Sequence, residues 1–101
     1  FGFLMRLKNE DCIEEYERLH VDIGDDMREV HRKCGIRNYS IYRKGLDLLG
    51  YLEADDPQST FDRLEKEPLI HQWWAKTNQL METDERNRPK VTPLKEIFHM
   101  D

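Results

Sequence analysis

No stretch of this 101-residue sequence approaches the roughly 18–20 apolar residues that cross a bilayer. Nor does it open with a charged segment followed by an apolar one, so no secretory leader is expected. It begins Phe1-Gly2-Phe3 without a methionine, and further residues are expected upstream. Cysteine is scarce. Cys12 and Cys34 lie on or beside one predicted helix, too far apart along it to meet, which favours reduced thiols and a cytoplasmic setting. Positive charge is short as well. A net charge of −5 argues against a nucleic-acid backbone or an anionic membrane as partner, and the run from Arg86 to Lys90 is too small to reverse that.

Other absences concern chemistry. There is no phosphate-cradling glycine-rich loop, no nucleophile elbow and no nucleotide fingerprint. Ser40 and Ser59 have no obvious base beside them. His31 and Cys34 have ligand-like spacing, but no second pair exists and His71 and His99 stand alone. Zinc needs three or four convergent protein ligands, so neither metal nor cofactor is expected. Glu14, Glu15, Glu17, Asp25 and Asp26 read as a solvated helix face.

What is present is patterned. With 38% hydrophobic and 37% charged residues, a single domain over 1–101 must concentrate its core on chosen faces. Residues 1–8, FGFLMRLK, are apolar on both alternating sets and read as a strand covered on both sides. Asp11 to Glu14 fits a capping box, and a helix runs from there toward Gly35, a natural residue just past its end. Gly24 marks a possible break, with Asp26 to Glu29 able to start a second piece. Residues 36–43 and 46–53 alternate as strands joined at Lys44-Gly45. Asp56-Pro57 opens the next helix, Glu67-Pro68 interrupts it, and Leu69, Ile70, Trp73, Trp74, Thr77, Leu80 and Met81 follow a helical stripe. Residues 83–93 read as a loop and LKEIFHM, 94–100, as the last strand.

The order β-α-β-β-α-β predicts an α+β ferredoxin-like fold: a four-stranded antiparallel sheet with both helices on one face. The first strand leaves no polar side, so the open face of the sheet is expected to be buried in a face-to-face homodimer.

One helix face carries the functional signal. Ile13, Tyr16, His20, Ile23, Met27, Val30 and Cys34 fall at alternating steps of three and four. A core stripe holding an imidazole and a phenol one turn apart is unusual, and Tyr39 on the next strand is placed to face it. Histidine gives and takes protons near neutrality. Adjacent Trp73 and Trp74 point about 100° apart, so one should line the cleft and the other pack a shoulder. Indole faces suit the C–H side of a sugar while the N–H can bind a hydroxyl. A His/Tyr/Trp cleft without a cofactor suits acid–base chemistry on a small, neutral, hydroxyl-rich molecule.

The segments EYERLH, GIRNYSIY, WW followed shortly by Met, and EIFHMD together resemble the L-rhamnose mutarotase family, in the same order over nearly the whole chain. The resemblance implies a dimeric α/β barrel of two ferredoxin-like subunits that interconverts the α and β anomers of L-rhamnose without metal or organic cofactor. It implies His20 as proton donor, and Tyr16, Tyr39, Trp73 and Trp74 as sugar-binding residues. One departure stands out: the family commonly reads Ile-Trp-Pro-Glu after the histidine, where this chain has Ile23-Gly24-Asp25-Asp26. On this reading His20 protonates the ring oxygen, and Tyr16, Tyr39 or a water handles the anomeric hydroxyl. The competing readings are another cofactor-free enzyme on the same barrel, an oxygenase or lactone isomerase, and a non-catalytic sugar-binding module.

Overall fold

The structure, a computed structural model, describes residues 1–101. Strands β1 (Gly2–Arg6), β2 (Arg37–Lys44), β3 (Asp47–Glu53) and β4 (Thr92–Pro93) form one antiparallel sheet in the order β2-β3-β1-β4. Each crossover leapfrogs one strand, as the ferredoxin-like topology requires. Each is also split in two: α1 (Ile13–Val21) and α2 (Asp25–Lys33) precede β2, while α3 (Pro57–Leu64) and α4 (Pro68–Thr77) follow β3.

Local chemistry accounts for the splits. Gly24 has φ +86°, a backbone state that L side chains rarely adopt, and it caps the N-terminus of α2. Pro68 occupies the first turn of α4 after extended Glu67, where its missing N–H costs nothing. At the start of α3 the Asp56 carboxylate accepts a hydrogen bond from the Ser59 amide at 3.4 Å. The helix α2 ends in a Schellman motif: the Ile36 amide reaches the His31 carbonyl at 3.0 Å and the Gly35 amide the Arg32 carbonyl at 2.9 Å, with Gly35 at φ +94°. The capping box expected at Asp11–Glu14 does not form. A 3-10 turn, Glu10–Cys12, leads directly into α1, so Cys12 stands at the cap and no side chain bonds the free amides.

Alternation divides the sheet. Phe3, Met5, Leu7, Leu48 and Leu52 are buried under the helices with Tyr16, Met27, Cys34, Leu64 and Ile70. Burying each such large apolar side chain is worth about 1.5–3 kcal/mol. On the opposite face Leu4, Leu49 and Tyr51 are exposed.

The last strand lies elsewhere than LKEIFHM. It is Thr92–Pro93, pairing with Leu4 and Phe3, and the Leu94 amide closes the ladder on the Gly2 carbonyl at 2.9 Å. Residues 95–101 lie outside the ladder and run exposed. The preceding segment is ordered by Asp84, whose carboxylate accepts from the Arg86 and Arg88 amides at 2.9 and 3.0 Å. No helix is long and apolar enough to cross a membrane. Cys12 and Cys34 are buried and unbonded to each other.

Candidate functional site

Between the helices and β2 lies a trough of about 1480 Å³. That exceeds the roughly 300–1,000 Å³ usual for small-ligand pockets, and it is open rather than closed. Tyr16, His20, Tyr39, Trp73 and Trp74 all border it.

Helix α1 supplies Tyr16 and His20 from its buried face. Tyr16 is 5% exposed, and its ring centroid lies 4.3 Å from that of His20. The His20 Nδ1 sits 2.8 Å from the Tyr16 carbonyl oxygen one turn back. A carbonyl only accepts, so Nδ1 carries the hydrogen and Nε2 is left as the proton-exchanging atom of the neutral ring. Burial pushes the His20 pKa down, the backbone hydrogen bond opposes this, and the His31 imidazole adds a smaller push downward.

Strand β2 supplies Tyr39 through an irregularity. Arg37 pairs with Glu53 and Ser40 with Tyr51, so Asn38 and Tyr39 together stand opposite Leu52. Asn38, the first residue of the bulge, takes φ +49°, the left-handed region that one bulge type uses. The Tyr39 ring packs 6.2 Å from Phe3 and 5.8 Å from His31. As a whole residue Tyr39 is 38% exposed, yet it is the crowded phenol end that decides its titration, and desolvation raises its pKa well above the ordinary tyrosine value. Desolvation raises Tyr16 likewise, with Tyr39 adding to the effect. Both therefore stay protonated through the physiological range.

Helix α4 supplies the indoles. Trp73 meets His20 edge-on, 5.1 Å between centroids and 80° between planes. Trp74 meets His71 in the same manner at 5.4 Å. Both border the trough, where only one was expected to. The indoles are long enough to reach the wall despite the offset of about 100° between neighbouring helical positions.

The charged rim is internally paired. Arg43 bonds Glu17 at 2.9 Å, Arg37 bonds Asp55 at 3.1 Å, and Arg88 bonds Asp84 at 3.1 Å and Glu65 at 2.5 Å. Guanidiniums already satisfied by carboxylates are poor anchors for a phosphate or carboxylate ligand, so the trough favours a neutral guest. No three His, Cys, Asp or Glu side chains converge as metal ligands would.

One residue absent from the sequence-based site is His31. It borders the same trough from α2, half-buried, with Nδ1 2.7 Å from the Met27 carbonyl. The signal was available. Met27, Val30, His31 and Cys34 stand at i, i+3, i+4 and i+7, which is the inward stripe of α2. Gly24 has no atom within 4 Å of where its Cβ would stand, so the position where the family commonly carries tryptophan is open here.

Comparison with known proteins bears on the family and the fold. The family model for L-rhamnose mutarotase matches residues 1–100. The L-rhamnose mutarotase of Lactiplantibacillus plantarum is 34% identical over 95 residues, covering 92% of this chain and 90% of that one. That of a Jannaschia species is 33% identical over 103 residues, covering 99% and 96%. Among solved structures, the crystal structure of L-rhamnose mutarotase FA22100 from Formosa agariphila superposes with a TM-score of 0.84 at 22% identity, covering 99% of this chain and 96% of that one, and so shares the fold. The chain belongs to the L-rhamnose mutarotase family.

Proposed function

We propose that this chain, acting as one domain over 1–101, interconverts the α and β anomers of L-rhamnose. His20 exchanges the proton, and Tyr16, Tyr39, Trp73 and Trp74 hold the sugar. The observation that carries the reading is the His20 Nε2, freed for proton exchange by the Nδ1–H bond to the Tyr16 carbonyl and set in a trough walled by indoles and phenols.

Anomer exchange needs the anomeric O1–H deprotonated and the ring oxygen O5 protonated, so that C1–O5 opens to the aldehyde. Rotation about C1–C2 presents the other carbonyl face, and reclosure reverses the transfers. A lowered pKa makes the His20 imidazolium a readier donor to O5 than an unperturbed imidazolium. Tyr16 and Tyr39, held as neutral phenols, donate hydrogen bonds to sugar hydroxyls but make poor acceptors of the O1 proton. The C6 methyl and C–H patches of the sugar suit the indole faces.

The test is exchange NMR on L-rhamnose anomers with and without the protein. Acceleration over buffer is expected, of the order of the 10²–10⁴-fold that positioned acid–base groups supply. Calorimetric binding of L-rhamnose with the exchange rate left at its buffer value would instead make the chain a binding module.

The family's two-subunit barrel fits the surface. Leu4, Leu49, Tyr42, Tyr51 and Leu94 are exposed, and the tail adds Ile97, Phe98 and Met100. Such continuous apolar exposure supports a homodimer through the open face of the sheet. Sedimentation is expected to give twice the chain mass, and Leu49→Glu the chain mass alone; a monomeric parent would refute the dimer. The two buried free thiols support a reducing, cytoplasmic setting.

A further inference from the structure

Mutarotation moves two protons, and the residues described so far account for one. The group that accepts the O1 proton must be a base at working pH, border the same trough and reach the carbon that bears both oxygens. The buried phenols meet the second condition and fail the first. His31 meets the first two. Its Nδ1–H is committed to the Met27 carbonyl at 2.7 Å, just as that of His20 is committed to the Tyr16 carbonyl at 2.8 Å. Each helix therefore presents an imidazole near its C-terminal end with Nε2 free. Two ring pairs border the trough: His31 lies 5.8 Å from Tyr39, and Tyr16 lies 4.3 Å from His20. Each imidazole thus stands beside one of the two phenols.

We propose that His31 is a second proton-transfer residue, its Nε2 accepting the anomeric O1–H proton while the His20 Nε2 delivers one to O5. This rests on the mutarotase reading of the same site. The step balances. The O1–H bond breaks and its electrons become the C1=O1 π bond; the C1–O5 electrons go to O5, which takes the proton from His20. The pair carries one extra proton throughout, on His20 before opening and on His31 after it. Reclosure returns it.

The surroundings disfavour a doubly protonated pair. Burial disfavours charge on each ring, and a proton on one disfavours a proton on the other. Of the charged neighbours on its own helix that border the trough, Arg28 is tied to Asp25 at 3.4 Å and Arg32 to Glu29 at 3.5 Å. From β2 it faces Tyr39, and from α1 it acts on His20.

The experiment is exchange NMR on wild type, His31→Gln and His31→Leu at saturating L-rhamnose, with calorimetry on each. Both variants are expected to lose about 10²-fold in turnover, while affinity changes less than about threefold, since binding is left to the indoles and phenols. In labelled wild-type protein, the His31 Nε2 resonance is expected to shift on adding L-rhamnose. Variants that exchange within threefold of wild type, or a His31 resonance unmoved by sugar that moves His20, overturn the proposal, and the spectrum decides even if the variants fail to fold. A wild type without exchange overturns the mutarotase reading and this one with it; an active wild type with an equally active His31→Gln overturns this one alone.

Discussion

His20→Ala is expected to lower catalysed anomer exchange by about 10²- to 10⁴-fold, the span of one positioned acid–base group. The fold is expected to survive. His20 lies in the last turn of α1, half-buried, where alanine is the best helix former, and the unfolding free energy should move by no more than about 1 kcal/mol. Residual exchange comes from whatever positions the sugar without transferring its proton. His20→Asn separates size from chemistry: it keeps a polar tip near the Tyr16 carbonyl and lacks a titrating nitrogen, so it should be as slow as alanine. A variant exchanging at the parent rate would remove His20 from the reaction. The same burial has a signed consequence for stability. The folded pKa of His20 lies below its unfolded value, so the unfolded chain takes up the proton first as the pH falls. The stabilisation is whole above about pH 6.5 and drains as the pH drops toward and through the folded value. The urea midpoint should therefore fall on acidification over that range, and fall less in His20→Asn.

Which parts of this architecture could be read beforehand follows from how local their causes are. Alternation is local, so the strands at 36–43 and 46–53 could be read from spacing and the topology from the order of elements, whereas FGFLMRLK, read as covered on both sides, buries Phe3, Met5 and Leu7 and leaves Leu4 exposed. Asp56-Pro57 and Glu67-Pro68 announced helix starts because capping is decided within a turn. Gly24 announced a break for the same reason. The last strand failed because it is decided by register: Pro93 lies opposite Phe3, and only the partner strand's position says where pairing stops. A β-prone stretch such as LKEIFHM cannot supply that. Tyr16, His20 and Tyr39 were legible as a cluster, although the bulge at Asn38 that turns Tyr39 was not, since it exists only in the pairing of β2 with β3. His31 was weighed only for its ligand-like spacing with Cys34; its place four residues after Met27 and three before Cys34, on the same inward stripe, went unused.

Gly50→Ala is expected to destabilise the fold by about 1–3 kcal/mol, through overpacking rather than backbone strain. In the β1–β3 ladder Gly50 stands opposite Phe3. A Cβ at Gly50 would sit 2.3, 2.6 and 2.7 Å from three atoms of the Phe3 ring, distances that real contacts do not show. The ring lies across the glycine's bare backbone, filling the place a side chain would take. A long flexible side chain could swing aside. This ring cannot do so cheaply: Phe3 is 2% exposed and wedged by Phe1 at 5.7 Å, Tyr39 at 6.2 Å and Phe61 at 6.4 Å. Replacing a strand glycine ordinarily gains about 0.5–1 kcal/mol in backbone entropy, which offsets only part of the clash. Because Tyr39 leans on Phe3, the displacement should also reach the trough, and Gly50→Ala should weaken L-rhamnose binding as well as unfold at lower urea. The cause is separable by a double-mutant cycle. Trimming the ring in Gly50→Ala/Phe3→Leu should recover part of the loss, giving a coupling of about 0.5–3 kcal/mol, as contacting residues show. Additive effects of the two substitutions, or a Gly50→Ala protein as stable as its parent, would mean that the ring has another resting place and that its position over Gly50 does not hold β1 against β3.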